Sequence, residues 1–346
     1  MKNLLSILGL LGIPVALYVA SLAVRGGVTV WGWFGLFIFI LIDLGCFWLA
    51  TYPRRARISL GVGVALLLAF VGLRQMRSFP TANGALYRLP GEGAGSFLAR
   101  LGEEADLAMM SFVAFSDFGA IRRADASRAQ PYLKSAYRRM RQDPDFSPVP
   151  SPVLPTMLGM NSPSAFHTLV FNPPPEGRAG RAIILLHGLG GAQKLPCWLL
   201  ARRMPDALIV CPSVGLRGEW AHDDAQQVFE AAFQYTRSRA SAVYVLGMGY
   251  GAVGVLHFMS RNMLGHVNGL GLISGFDENY YDGVRRSSLP LLVIRGTEDA
   301  RTPMIRTEGF ANASLVRNVE IAGGAYVFYE AEEAVLEQID TFCGAH

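Results

Sequence analysis

The chain has 346 residues, a formal net charge of +4, 51% hydrophobic and 17% charged residues, which is more apolar and less charged than an ordinary soluble domain. Its basic residues are scattered without a long run, which argues against a nucleic-acid partner. Its four cysteines form no Cys-x-x-Cys pair and no Cys/His cluster at zinc spacing, so neither a structural metal nor another cofactor is expected.

The apolar excess lies at the N-terminus. Residues 4–24 carry no charge, residues 30–50 carry only Asp43, and residues 58–73 carry none. A helix needs roughly 20 apolar residues to cross a bilayer. The first two runs meet that length. The third is short, but Arg57 and Arg74 flank it and can snorkel. Gly61, Gly63, Ala65 and Ala69 allow close helix packing there. The first run also suits a cleaved signal segment, yet two more runs follow at once, so residues 1–77 are expected to anchor the chain in a bilayer either way. Lys2, Arg54, Arg55 and Arg57 fall on one side, and Arg25, Arg74 and Arg77 on the other. The tight arginine cluster favours a cytoplasmic N-terminus and an extracytoplasmic domain after the third helix. Asp43 is costly in lipid and must face protein or water. It is either a contact to a partner helix or proton relay, or a carboxylate paired with the nearby arginines.

Residues 78–150 read as a connecting region. "GSFLARLGEEADLAMMSF" and "DASRAQPYLKSAYRRMRQD" have helical spacing. Residues 144–164 are too proline-rich for helix or central strand and read as an extended covering segment.

Residues 151–346 form the globular part. "AFHTLVFNPP" is expected as an edge strand. The short apolar runs "RAIILLHGLGG", "ALIVCPSV", "AVYVLGMG", "VNGLGLISGF", "PLLVIRGTED" and "VRNVEIAGG" alternate with segments of helical spacing. That alternation predicts an α/β class, a mostly parallel sheet covered by helices on both faces, with function at the carboxyl ends of its strands.

"LLHGLGG", "GMGYG", "VIRGTED" and "IAGGAYVF", in this order and spacing, resemble the motifs of an α/β-hydrolase. "PVPSPVLPTMLGMNSP" and "CPSVGLRGEW" look like a bacterial branch of that superfamily. The resemblance implies an oxyanion loop at His187, Gly188, Leu189, Gly190 and Gly191. It places the nucleophile at Gly249, the acid at Asp299 and the histidine at Tyr326, or at Ala325 if the alignment slips by one. Glycine has no attacking atom, and a tyrosine of ordinary pKa near 10 is a poor base at neutral pH. Glycine also relieves the strain of the elbow turn. With the serine and histidine both absent, Asp299 reads better as a structural cap than as a catalytic acid.

Other groups offer little. His222 beside Asp223 and Asp224 could suggest a metal, but adjacent carboxylates point apart and suit a helix start. Ser274 ends a strand with no histidine evident nearby, and His257 reads as a packed residue. "VLGMGYGAVG" lies mid-sheet without the acid that a dinucleotide site needs about 20 residues on. Only a short stretch separates "LISGF" from "PLLVIRG", so no lid is expected there. Its Tyr280, Tyr281, Arg285 and Arg286 are candidate interface residues, with Asp43. Cys197 and Cys211 are a candidate disulfide in an oxidising compartment, and Cys46 and Cys343 read as buried thiols.

The expected function follows from the two absent catalytic groups. The chain would not be an enzyme but a scaffold subunit of a larger bacterial membrane complex, respiratory or photosynthetic. It would sit in the inner membrane with a periplasmic domain and pair with other membrane subunits. The alternatives are a membrane-bound hydrolase with nonstandard groups, or a small-molecule or lipid sensor.

Overall fold

The computed structural model describes residues 2–49, 51–189, 193–216, 218–275, 288–300, 302 and 315–345. Three long helices open the chain: α1 (Lys2–Gly26), α2 (Val30–Phe47) and α3 (Pro53–Arg77). All three are long and apolar enough to cross a membrane. The Thr29 hydroxyl caps α2 by accepting from Gly32 N at 3.4 Å. Pro53 opens α3 at a position where its missing N–H costs nothing. This start takes in Arg54, Arg55 and Arg57, so α3 is longer than its uncharged run.

Small residues bring these helices together. Gly63 lies against Ile42 and Gly45 against Leu60, while Gly61 faces open space. Asp43 sits directly on Gly12 of α1, where any side chain at position 12 would strike its carboxylate. The costly group therefore faces a helix of its own chain. On the outer faces Leu17, Val24 and Leu68 are 68%, 66% and 68% exposed, a surface that suits lipid.

The strands are β1 (Gly84–Leu89), β2 (Gly93–Ala94), β3 (Phe166–Phe171), β4 (Ala179–Leu186), β5 (Ala207–Pro212), β6 (Ala240–Met248), β7 (Gly269–Ile273), β8 (Leu291–Gly296) and β9 (Val316–Ile321). They form one sheet in the order β2-β1-β3-β5-β4-β6-β7-β8-β9. The six strands from β5 to β9 in that order run parallel, and β3 pairs antiparallel with β5. Alternate residues of each strand enter the two cores, Ile183 and Leu185 one, Ile184 and Leu186 the other. The first core is closed by α4 (Glu104–Asp117), α5 (Arg123–Gln142), α7 (Lys194–Arg203) and α11 (Glu332–Ala345). The second is closed by α8 (Asp223–Arg237) and α9 (Tyr250–Ser260). Two short helices, α6 (Val153–Met157) and α10 (Val327–Glu330), complete the chain.

Three features differ from the sequence expectation. β3 is an interior strand, buried along its length, because β1 pairs with it over six residues. Residues 78–150 share the main core with the rest of the globular part instead of merely connecting to it. The proline-rich segment contains α6, whose prolines occupy the cap and first turn, where no helical N–H is required. Cys197 of α7 and Cys211 of β5 are joined as a disulfide, with Cα atoms 6.6 Å apart.

One carboxylate fastens several of these elements. Glu104 is 3% exposed. It accepts from Lys194 N at 2.7 Å and Leu195 N at 2.9 Å, the first N–H groups of α7. It also accepts from Ser151 Oγ and from Tyr137 OH. Burial raises its pKa, and the bonds to Ser151, Lys194 and Leu195 lower it again. Orphan N–H groups at a helix start favour a carboxylate in this position. Glu104→Ala strands these donors in the core, so equilibrium unfolding of the full chain in detergent should show a loss of at least about 3 kcal/mol. A change below about 1 kcal/mol would refute this role.

Candidate functional site

The chain runs from β4 to β5 on one side and returns to β6 on the other. This reversal opens a crevice at the carboxyl ends of β4 and β6, where ligands bind in such sheets. Gly249 lies there, between β6 and α9, at φ 58° and ψ −121°, a conformation that glycine adopts freely. Its N–H donates to Ile273 O at 3.0 Å. A Cβ at Gly249 would meet only Gly188 Cα, at 3.8 Å. A Cβ at Gly188 would instead lie 2.7 Å from Met248 O, and one at Gly275 would lie 2.6 Å from Gly249 Cα. Glycine is thus required by close approach at 188 and 275, and by backbone angle at 249.

His187 holds the loop after β4. It is 3% exposed. Its Nδ1 donates to Gly188 O at 2.9 Å, and its Nε2 accepts from Val214 N at 3.3 Å. Trp220 donates to His187 O at 2.9 Å and packs edge-on to the imidazole. Burial lowers the His187 pKa to about 4. His187 is therefore a brace and not a proton carrier at neutral pH. Leu189 reaches the crevice, while Gly190 and Gly191 lie outside the described residues.

Gly249, Asp299 and Tyr326, far apart in sequence, line one pocket of 330 Å³. Asp299 is 3% exposed and accepts from the N–H and hydroxyl of Thr302. Thr302 Oγ1 in turn accepts from Gly275 N at 2.6 Å. The carboxylate thereby steadies the turn after β7. Tyr326 packs edge-on to Phe112, with ring centroids 5.0 Å apart.

The pocket has a roof that sequence reasoning missed. Residues 276–287 between β7 and β8, with Tyr280, Tyr281, Arg285 and Arg286, lie outside the described residues. The cover comes from between β2 and β3, through Met109 and Phe112 of α4 and Leu133 and Tyr137 of α5. Among the described lining residues, Asp299 carries the only formal charge. His222, Asp223 and Asp224 lie away from this lining, at the start of α8, where Asp223 lies 3.8 Å from Arg261.

Two further hydroxyls in the lining decide what the pocket can hold. Ser274 Oγ and Tyr329 OH are buried without a hydrogen-bond partner among the described residues. Their residues are 3% and 5% exposed. Each such hydroxyl costs about 1–3 kcal/mol. Ser274 also sits at φ 49°, a left-handed conformation that costs a non-glycine residue about 1–3 kcal/mol more. Burial, with Glu104 second, raises the Tyr329 pKa, so its phenol is a neutral donor. "LISGF" shows a serine at a strand end, but neither its backbone angle nor its isolation is visible in the letters.

No family model matches the chain, and no curated protein matches it. Solved structures similar to it include Est1E from Butyrivibrio proteoclasticus, at 14% identity and TM-score 0.40 over 51% of this chain and 94% of that one. Another is an esterase of Pyrococcus furiosus, at 12% identity and TM-score 0.42 over 53% and 87%. A third is a CIB-like hydrolase from Thermoplasma acidophilum, at 15% identity and TM-score 0.41 over 51% and 91%. The globular part has an α/β architecture, a mostly parallel sheet with helices on both faces. The expectation that the chain is not an enzyme is corrected by these neighbours, which include an esterase and a hydrolase. What Gly249 and Tyr326 remove is the serine–histidine route alone.

Two predictions follow from this geometry. Gly249→Ser should fold with a loss of about 1–3 kcal/mol from its backbone angle, whereas Gly275→Ala, driven into the elbow backbone, should lose more. Equal melting temperatures for the two variants would contradict the packing described. His187 should stay neutral well below its unfolded value near 6.5 and protonate only near pH 4. A folded pKa below the unfolded one means that its contribution to stability is present above about 6.5 and lost as pH falls toward 4. NMR of labelled histidine would show the Nδ1–H tautomer at about pH 5.5, and an imidazolium there would contradict the assignment.

Proposed function

We propose that this chain is a membrane-anchored α/β-hydrolase-fold protein that takes an amphiphilic small molecule into the roofed pocket. The ligand class is an acyl or aromatic body ending in a carbonyl- or carboxyl-type head. The observation that carries this reading is the pair of unpartnered buried hydroxyls, Ser274 Oγ and Tyr329 OH, in a mainly apolar lining. A head that pairs with both offsets their desolvation, about 1–3 kcal/mol each. Met109, Phe112, Leu133 and Phe328 offer apolar contact to the body. The volume of 330 Å³ is near the lower end of ligand pockets, roughly 300–1,000 Å³, which favours a small molecule.

The roof also supports an amphiphile. A Cβ at Gly26, at the end of α1, would lie 3.4 Å from the backbone carbon of Met109 in α4, and Gln130 of α5 donates to Arg25 O at 2.7 Å. The pocket's cover therefore rests on the end of a membrane helix. We place the domain on the extracytoplasmic side, a reading supported by the Cys197–Cys211 disulfide and the Arg54–Arg55–Arg57 cluster. Lipid or helices of partner subunits would cover the outer faces of α1 to α3.

A hydrolytic use of the same pocket is favoured by the backbone of Ser274, since strain held at a pocket residue points to function. In this reading Ser274 Oγ attacks an ester carbonyl, its proton passes to the departing alcohol, and the acyl group stays on Ser274 as an ester. The Tyr329 phenol, a lining donor without a partner among the described residues, would donate to the developing oxyanion. Water then releases the acyl group from Ser274.

The test uses the full chain in detergent with a fluorogenic short-chain ester and a fluorophosphonate probe. The account expects saturable ester binding that weakens about tenfold in Tyr329→Phe, and probe labelling that disappears in Ser274→Ala. Unchanged labelling in Ser274→Ala would rule out the Ser274 route. Failure of esters to bind saturably would sink the pocket reading itself.

A further inference from the structure

A second cavity, of 640 Å³, opens where the membrane helices meet the globular part, and shares no lining residue with the first. Its walls come from the start of α2, the end of α3, the starts of α4 and α7, the end of α5 and residues 147–151. Arg74, Arg77, Arg141 and Lys194 line it, against Glu103 and Glu104. Both carboxylates are engaged already. Glu103 pairs with Arg74 at 2.9 Å, and Glu104 is held by the start of α7, Ser151 and Tyr137.

The cations keep donors to spare. Arg74 is 8% exposed, and its Nε is buried without a partner. Its other nitrogens donate to Glu103 at 2.9 Å and to Gly102 O at 3.2 Å. Lys194 Nζ donates to Ser147 O at 3.0 Å and to Val149 O, which uses two of the three hydrogens of an ammonium. Burial lowers its pKa to about 8, so it is still protonated at neutral pH. Arg77 and Arg141 are exposed at the rim. A buried guanidinium N–H and spare ammonium hydrogen call for an anion with several acceptor oxygens, which is the chemistry of phosphate.

Position identifies the source of that phosphate. Arg74 and Arg77 occupy the last turn of α3. The Arg77 guanidinium lies 5.0 Å above the Trp31 ring, which packs against Phe70 with centroids 5.9 Å apart. Tryptophan and arginine at the end of a spanning helix mark the headgroup level of a bilayer. We propose that this cavity binds the phosphate of an anionic phospholipid, with its acyl chains lying along α2 and α3. The proposal rests on the membrane reading of these helices and is independent of the hydrolase-type pocket.

The test is native mass spectrometry of the full chain released from nanodiscs of mixed phosphatidylglycerol and phosphatidylcholine, followed by competition with inorganic phosphate. The site predicts retained phosphatidylglycerol at a preference of about tenfold, and a drop of about tenfold in the double variant Arg77→Gln/Arg141→Gln. Both residues are exposed, so the variant's melting temperature should match the parent's. Arg141→Gln alone carries the test should the double variant fail to fold. Displacement by millimolar phosphate supports the phosphate chemistry. Equal retention of the two lipids, or unchanged retention in the variants, overturns the site. Binding of inorganic phosphate without retention of phosphatidylglycerol overturns the lipid assignment.

Discussion

The Glu104 carboxylate is the fastening on which the arrangement depends. It accepts from the first N–H groups of α7, from Ser151 and from Tyr137, and so ties α4 to a helix of the sheet, to the proline-rich segment and to α5. A charge this deeply buried is tolerated because a helix start supplies both donors and a favourable dipole. The same helix α4 is held to the N-terminal helices at several points. Arg25 forks onto Asp117, and Asp106 accepts from the N–H and hydroxyl of Thr29 at 2.7 and 2.6 Å. α4 is therefore a strut, fixed to the three N-terminal helices and, through Glu104, to the sheet.

This strut turns a sheet crevice into a pocket. The elbow at Gly249, the loop held by His187 and the turn steadied by Asp299 form the floor, all at strand ends beside the topological switch. α4 and α5 supply the roof. Ser274 and Tyr329 place two isolated hydroxyls in this mainly apolar lining. The second cavity lies on the other side of the strut's first turn, where Glu103 and Glu104 face Arg74 and Lys194. A headgroup bound there would hold the start of α4, and with it the roof.

The parallel sheet was legible in the sequence because its strands are buried on both faces and read as short continuous apolar runs. The elbow was legible because close backbone approach demands glycine, and "GMGYG" shows it. The convergence of Gly249, Asp299 and Tyr326 followed from motif order alone. The roof was not legible, since nothing in the helical spacing of α4 and α5 says what they cover. β1 was missed because "GALYRL" sits in a segment rich in helix signals. Ser274 and Tyr329 were missed as functional groups because their importance lies in what surrounds them. The expectation of no activity went wrong by treating the loss of one catalytic route as the loss of all.

The central claim is that the roofed pocket holds an amphiphilic molecule. The most direct test is mass spectrometry of small molecules carried through mild-detergent purification by the full chain and by Ala120→Trp. Ala120 is an exposed residue at the pocket's edge, so tryptophan there should plug the opening without disturbing the core. The account predicts an amphiphile with a carbonyl- or carboxyl-type head that is retained by the parent and absent from the plugged variant. Identical small-molecule content in the two proteins would contradict it.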